Sequence, residues 1–296
     1  DELHSYRGVF GSHLADLIRR LKRICQFYGS NPQFICCSAT IANPDELASR
    51  IIEEPVTLID NNGAPTGEKH LYLYNPPMVN RQLGIRKSST LTARALATAF
   101  LANGVQTIVF ARSRLSVEIM LTYLQDDLRR HGKRNGLVRG YRGGYLPLER
   151  REIEQGLRSG SILGVVSTNA LELGVDIGGL EASILLGYPG TIASTWQQMG
   201  RAGRRASTSV AIMVASSSPL DQFIVTHPDY FFGQPPENGL VNPDNLTIMM
   251  SHVKCAAFEL PFAEGELFGR ARPDEMLRYL ADQRVLHHAN DRWYWA

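Results

Sequence analysis

Lysine, cysteine and long apolar runs are all scarce in this 296-residue chain, and each scarcity removes a class of protein. The four cysteines, Cys25, Cys36, Cys37 and Cys255, form no C-x-x-C pair and lie inside apolar or helix-like runs. Neither a zinc site nor a disulfide framework finds its spacing here, and all four read as reduced thiols that behave as small apolar residues. No stretch approaches the roughly 20 apolar residues of a bilayer span. Residues 1–10 lack the basic start and apolar core of a secretory leader. No membrane partner and a cytoplasmic location are therefore the expectation. Net charge is only +2, so bulk electrostatics does not announce a polyanionic partner.

What is present is arginine, 26 residues against five lysines. A guanidinium fork binds phosphate bidentately where an ammonium acts as a point charge; a coding bias produces the same ratio, and composition does not separate the two. With 44% hydrophobic and 20% charged residues, the chain can bury ordinary cores in about two domains.

Hydrophobic periodicity outlines those domains. Residues 13–28 place Leu14, Leu17, Ile18, Leu21, Ile24 and Cys25 at helical spacing, with Arg19, Arg20, Lys22 and Arg23 largely opposite; the pattern predicts an amphipathic helix laid on a sheet. An apolar run at 34–37 predicts a strand, and Asn43-Pro44-Asp45-Glu46 a helix start. Residues 1–56 thus read as part of one α/β domain, and the Gly/Pro/Asn-rich 57–69 as a linker. Residues 70–232 alternate strand and helix: strands near 70–75, 107–111, 137–141, 162–167, 182–186 and 210–214, with helices 90–102, 115–130, 147–158 and 192–200 between them. That rhythm predicts a parallel sheet covered by helices. Residues 233–296 predict two helices and a polar-tipped hairpin, which fits a small, mainly helical, winged-helix-like module, with an irregular extension as the alternative.

Several short motifs carry chemistry. Asp1-Glu2-Leu3-His4 offers paired acids of the kind a nucleotide motor uses, one to hold Mg²⁺ and one to polarise water, although such a tetrad alone is also an ordinary acidic tail. Ser38-Ala39-Thr40 follows the 34–37 strand, where its hydroxyls can hydrogen-bond the acidic pair. Gln197-Gln198-Met199-Gly200-Arg201-Ala202-Gly203-Arg204 is more specific: two arginines one helical turn apart suit a γ-phosphate clamp, and a merely solvated helix face would not require the Gln and both glycines. Thr168, at the carboxyl end of the 162–167 strand, suits a phosphodiester backbone, and Asp176 suits a ribose or an arginine partner. The basic, aromatic Tyr141-Arg142-Gly143-Gly144-Tyr145 reads either as a strand clamp or as a turn with ordinary tyrosines.

Taken in order, DELH, SAT, TIVFARSR (107–114), STNALELGVDIG (167–178) and QQMGRAGRR (197–205) resemble helicase motifs two to six of superfamily two. The wording of residues 1–24 and 141–157 resembles the YprA/MrfA group of DEAD/H-box DNA helicases, whose fungal relatives are called RecQ-four-like; the resemblance covers at least residues 1–232. It implies a RecA-like helicase domain preceded by a partial RecA-like domain, ATP and Mg²⁺ as cofactors, single-stranded DNA as partner, 3′ to 5′ movement and a link to DNA repair. The family's zinc cluster has no counterpart here. Carried over by position, Asp1 and Glu2 hold metal and activate water while His4 links the nucleotide site to the strand-gripping site. Ser38 and Thr40 couple hydrolysis to movement; Arg112, Ser113 and Thr168 grip the backbone; Gly174 and Asp176 face the nucleotide; Gln197 orients water; Arg201 and Arg204 are the fingers.

One departure matters. No G-x-x-x-x-G-K-[ST] phosphate loop occurs, since the 63–69 stretch is one residue short and lacks the hydroxyl after Lys69. The expectation is a fragment whose first half-domain lies upstream and which alone does not hydrolyse ATP. The competing readings are a nucleic-acid-binding module that has lost its ATPase and an RNA helicase.

Overall fold

The computed structural model describes residues 1–63, 67–172, 175, 177–203 and 208–296. It divides into two compact units, one built from residues 1–61 with 238–296 and the other from 62–237. The N-terminal stretch supplies α1 (Gly8–Phe27) and α2 (Pro44–Ile52) to the first unit. Proline opens α2 at its first turn with Asp45 and Glu46 beside it, an arrangement that favours the positive end of the helix dipole.

The second unit contains β1 (Lys69–Tyr74), the short pair β2 (Met78–Asn80) and β3 (Ile85–Arg86), α3 (Ser89–Ala102), β4 (Thr107–Phe110), α4 (Arg114–Arg130), β5 (Val138–Tyr141), α5 (Pro147–Ser159), β6 (Gly164–Ser167), β7 (Ala182–Leu186), α6 (Ile192–Met199), β8 (Ser209–Val214), α7 (Pro219–Thr226) and α8 (Pro228–Gly233). Six strands form one parallel sheet in the order β1-β8-β7-β4-β6-β5. Its inner strands are continuous apolar runs because both faces are covered. Ile108, Phe110, Val165 and Leu185 pack beneath Ile153, Leu157, Ile192 and Phe231 on one face. Val109, Ala111, Val166 and Ile184 pack beneath Ala97, Leu101, Met120 and Leu124 on the other. Hydroxyl caps start the helices: Ser88, Ser113, Thr191 and Ser218 each accept a main-chain N–H from α3, α4, α6 and α7 respectively.

The first unit continues with α9 (Leu246–Glu259), β9 (Phe262–Ala263), α10 (Asp274–Asp282), β10 (Leu286–Ala289) and β11 (Arg292–Trp295). The last strands form a small antiparallel sheet in the order β10-β11-β9. At the hairpin tip Asn290 and Asp291 both adopt left-handed conformations, as a tight two-residue turn requires. Val253, Phe262, Phe268, Leu277 and Trp293 form its core.

Two expectations fail in the first unit, for physical reasons. On α1 the buried face is Ser12, Ala15, Asp16, Arg19 and Arg23, whereas Leu17 and Leu21 are exposed. Burying Arg19 is possible because its guanidinium meets Asp16 at 3.0 Å, Glu53 at 2.5 Å and Asp244 at 2.7 Å, donates to the Pro243 carbonyl and lies over the Phe268 ring. A charge so fully paired can replace a leucine in a core. The apolar run at 34–37 forms no strand among the described residues, and Ile35, Cys36 and Cys37 are exposed.

Candidate nucleotide and nucleic-acid site

Strand register explains why residues far apart in sequence converge. Phe110 lies opposite both Ser167 and Leu185, Tyr141 opposite Ser167, and Leu186 opposite Val214. The loops that follow, beginning at Ala111, Arg142, Thr168, Gly187 and Ala215, therefore all leave the same carboxyl edge of the sheet. In open parallel sheets that edge is where ligands bind.

Arg112 stands there half exposed, with its Nη2 donating to the Tyr188 carbonyl at 3.2 Å and to the Asp221 carboxylate. Ser113 caps α4 by accepting from Ser116 N at 3.1 Å and shares a 2.8 Å bond with the Ser116 hydroxyl. Thr168 Oγ1 accepts from Ala170 N at 3.4 Å. Beside them, the Arg142 guanidinium lies over the Tyr145 ring at 4.8 Å and is tethered by Glu118 at 2.7 Å. Burial and the Glu154 carboxylate push the Tyr141 hydroxyl up to about 12, so it remains a neutral donor to that carboxylate.

Helix α6 carries Gln197 and Gln198. Gln198 Nε2 donates to the Glu172 carboxylate at 2.9 Å, and Ser194 donates to the same group at 2.7 Å. The helix N-terminus holds a second carboxylate: Glu237 accepts from Ile192 N at 2.6 Å and from Ala193 N at 3.0 Å. Arg201 is buried, its Nη1 donating to the Val175 carbonyl at 3.0 Å and its Nη2 to the Glu172 carbonyl. Of the two arginines expected on one helical face, Arg201 follows the end of the helix. Helix α6 ends at Met199, and Gly203 is left-handed, with φ 83°, where a Cβ would lie 2.2 Å from the Ser209 hydroxyl. Gly174, Asp176 and Arg204 lie outside the described residues.

In the first unit, Glu2 is left-handed and precedes a turn of 3₁₀ helix at Leu3–Ser5. Main-chain N–H of Leu3 donates to Cys37 O at 2.9 Å, which brings the acidic tetrad beside the Ser-Ala-Thr segment. There Ser38 Oγ accepts from His4 N at 3.3 Å and lies 3.2 Å from His4 Nδ1. Glu2 reaches His4 Nε2 at 3.5 Å, and Asp1 is exposed with Oδ1 accepting from Glu2 N. Ser38 thus meets the histidine, not the acidic pair it was expected to meet. Thr40 Oγ1 is buried without a hydrogen-bond partner. Among the described residues no group of three or more His, Cys, Asp or Glu could by itself hold a metal ion, and no helix is long and apolar enough to cross a membrane.

Asp221 and Glu237 are absent from the motif reading of the sequence, and Glu172 lies inside the 167–178 motif without a role assigned to it. Ser218 before Asp221 gives a capping signal, but the Tyr188 and Arg112 partners of Asp221, the Ser194 and Gln198 partners of Glu172 and the Ile192 and Ala193 partners of Glu237 lie at sequence distances that no local pattern spans.

A parallel sheet with this site on its carboxyl edge, followed by a Gln-x-x-Gly-Arg-x-Gly-Arg segment, defines the RecA-like C-terminal domain of a helicase. The helicase conserved C-terminal domain family matches residues 92–206, and the winged helix domain family of the ATP-dependent helicase HRQ1 matches residues 241–296. The chain is 59% identical over its whole length to the uncharacterized ATP-dependent helicase YprA of Bacillus subtilis, of which it covers 39%. It is 38% identical over 99% of its length to the ATP-dependent helicase HRQ1 of Saccharomyces cerevisiae, of which it covers 28%. A crystal structure of the DUF1998 helicase MrfA bound to DNA and AMPPNP superposes with TM-score 0.96 at 59% identity, covering all of this chain and 41% of that one. The chain thus carries a helicase C-terminal domain and an HRQ1-type winged helix, and over its whole length it is similar to the YprA/MrfA helicases. It spans about two fifths of the YprA relative and less of HRQ1.

Proposed function

We propose that this chain supplies the second motor domain and part of the first in an ATP-dependent DNA helicase or translocase that moves 3′ to 5′ on single-stranded DNA and serves DNA repair. The observation that carries the reading is the convergence of Arg112, Ser113 and Thr168 on one edge of the parallel sheet. The similarity to MrfA, a helicase crystallised with both DNA and a nucleotide analogue, supports it.

Arg112, Ser113 and Thr168 hold the phosphodiester backbone, Gly174 and Asp176 face the nucleotide, and Gln197 orients the attacking water. Arg201 and Arg204 are the fingers that meet the γ-phosphate, and Arg201 also donates to the Glu172 and Val175 carbonyls. In the first unit Asp1 and Glu2 hold the metal and water, and Ser38, in contact with His4, passes the state of the acidic pair onward with Thr40. Their hard oxygen donors fit Mg²⁺ held mainly by nucleotide phosphates, which needs few protein ligands; the ion supplies charge neutralisation on the transferred phosphoryl group.

These 296 residues contain no phosphate loop, so residues 1–296 alone do not turn over ATP. The test is ATP hydrolysis stimulated by single-stranded DNA in the full-length protein, with Arg204→Ala as control. Stimulated turnover lost in the variant supports the motor; DNA binding without turnover replaces it with an inactive binding module, and stimulation by RNA alone replaces the substrate.

A further inference from the structure

Asp221 is fully buried, yet its carboxylate is shared among loops that follow three different strands. Oδ2 accepts from Ser216 N, after β8, at 2.7 Å; Oδ1 accepts from Tyr188 N, after β7, at 3.1 Å, and from Arg112 Nη2, after β4. Burial alone would push this carboxyl up, but the hydrogen bonds from Ser216 and Tyr188 and the charge of Arg112 hold it below its ordinary value, so it is ionised. The space around it is closed on one side by Gly187: at φ 81°, a Cβ there would lie 2.2 Å from Arg112 Nη2 and 2.6 Å from Asp221 Oδ2.

A carboxylate buried only to close the sheet edge would gain little over an apolar side chain of the same size. What distinguishes this one is its cationic partner. Asp221 has no exposed side-chain surface whereas the Arg112 side chain is 49% exposed, so one guanidinium nitrogen is anchored while the side chain is presented at the ligand edge. A flexible arginine loses rotamer freedom on binding a phosphate; one already fixed at Nη2 loses less.

We infer that Asp221 is a positioning residue for nucleic-acid binding, holding Arg112 and the Gly187–Tyr188 turn in the geometry that receives the phosphodiester backbone. The inference rests on the reading of Arg112 as a backbone contact, and the experiment separates the two. In the full-length protein, affinity for a fluorescein-labelled single-stranded oligonucleotide is measured by anisotropy across salt concentrations for Asp221→Asn, Arg112→Gln and the double variant, with thermal melts and DNA-stimulated ATP turnover alongside.

Asp221→Asn is expected to weaken DNA binding about tenfold and to raise by a similar factor the DNA concentration that half-maximally stimulates turnover. Arg112→Gln weakens binding at least as much and lowers the salt slope by about one phosphate contact. The double variant is no weaker than Arg112→Gln alone. An Asp221→Asn effect that persists in full in the Arg112→Gln background, an unaltered affinity, or a variant that fails to fold while Arg112→Gln folds would each overturn the inference by reducing Asp221 to a fold-stabilising residue. If Arg112→Gln itself leaves affinity and salt slope unchanged, the strand-gripping reading of Arg112 falls, and the role of Asp221 falls with it.

Discussion

Arg201 joins the end of the α6 segment to the loop after β6 by donating to the carbonyls of Glu172 and Val175, while the Glu172 carboxylate reaches back to Ser194 and Gln198 on the same helix. The contact is reciprocal, with the arginine holding the loop main chain and the loop's acid holding the helix. Arg201→Ala removes at least these charge-assisted bonds to the Glu172 and Val175 carbonyls in a buried setting and is expected to destabilise the second unit by about 2–4 kcal/mol. Denaturant titration checks the size of the loss. Arg201→Lys, which cannot bridge both carbonyls, recovers less than half of it.

The first unit depends on Arg19 in the same way. Arg19→Ala leaves Asp16 buried without its partner, and a cost of about 3–5 kcal/mol is expected. Replacing Asp16, Arg19 and Glu53 together with apolar residues restores much of that, because the buried charges on both sides are then gone. Thermal melts of the two variants decide whether the pair or the packing carries the stability.

His13 and His252 face each other in the first unit, Nδ1 to Nε2 at 3.0 Å. Burial, the Arg20 guanidinium and His13 hold His252 below its ordinary value, with the Glu259 carboxylate opposing them. A histidine whose folded pKa lies below its unfolded value stabilises fully above about 6.5 and loses that contribution as the pH falls through that value. The melting temperature of the first unit is therefore expected to fall between pH 7.5 and 5.5, and His252→Gln to flatten that dependence. An equal slope in the variant assigns the acid sensitivity elsewhere.

Gly187→Ala places a Cβ against Arg112 and Asp221 at a left-handed position. Backbone strain alone costs about 1–2 kcal/mol, and the displaced ion pair adds to it. The expected result is a lowered melting temperature together with weakened DNA binding, measured on the same preparation.

Much of the second unit is legible in its sequence because continuous apolar runs, such as those at 107–110 and 182–186, alternate with helical patterns of unmistakable period. The same reasoning holds only in part for α1, where Leu14 and Ile18 pack on a core but Leu17 and Leu21 are exposed and Arg19 is buried. Periodicity sorts residues by side-chain type, and nothing local to Arg19 announces Glu53 and Asp244, which make its burial tolerable. The run at 34–37 reads as a strand from its composition, but a strand also needs a neighbour, and no pattern within four residues reports one. In the site, the motifs name Arg112 but not the group that fixes it, since Asp221 stands 109 residues beyond it in the chain; Arg201 is fixed by Glu172 and Val175 of the 167–178 motif, a pairing of two motifs that neither one reports alone.

Strand β4 feeds two cores in alternation, Ile108 and Phe110 on one side of the sheet, Val109 and Ala111 on the other. A slip of one residue would exchange both sets at once, so the strand is located by two independent packings. Arg112 follows Ala111 directly, and its placement inherits that double indexing: the tolerance at the ligand edge is set by hydrocarbon in the interior.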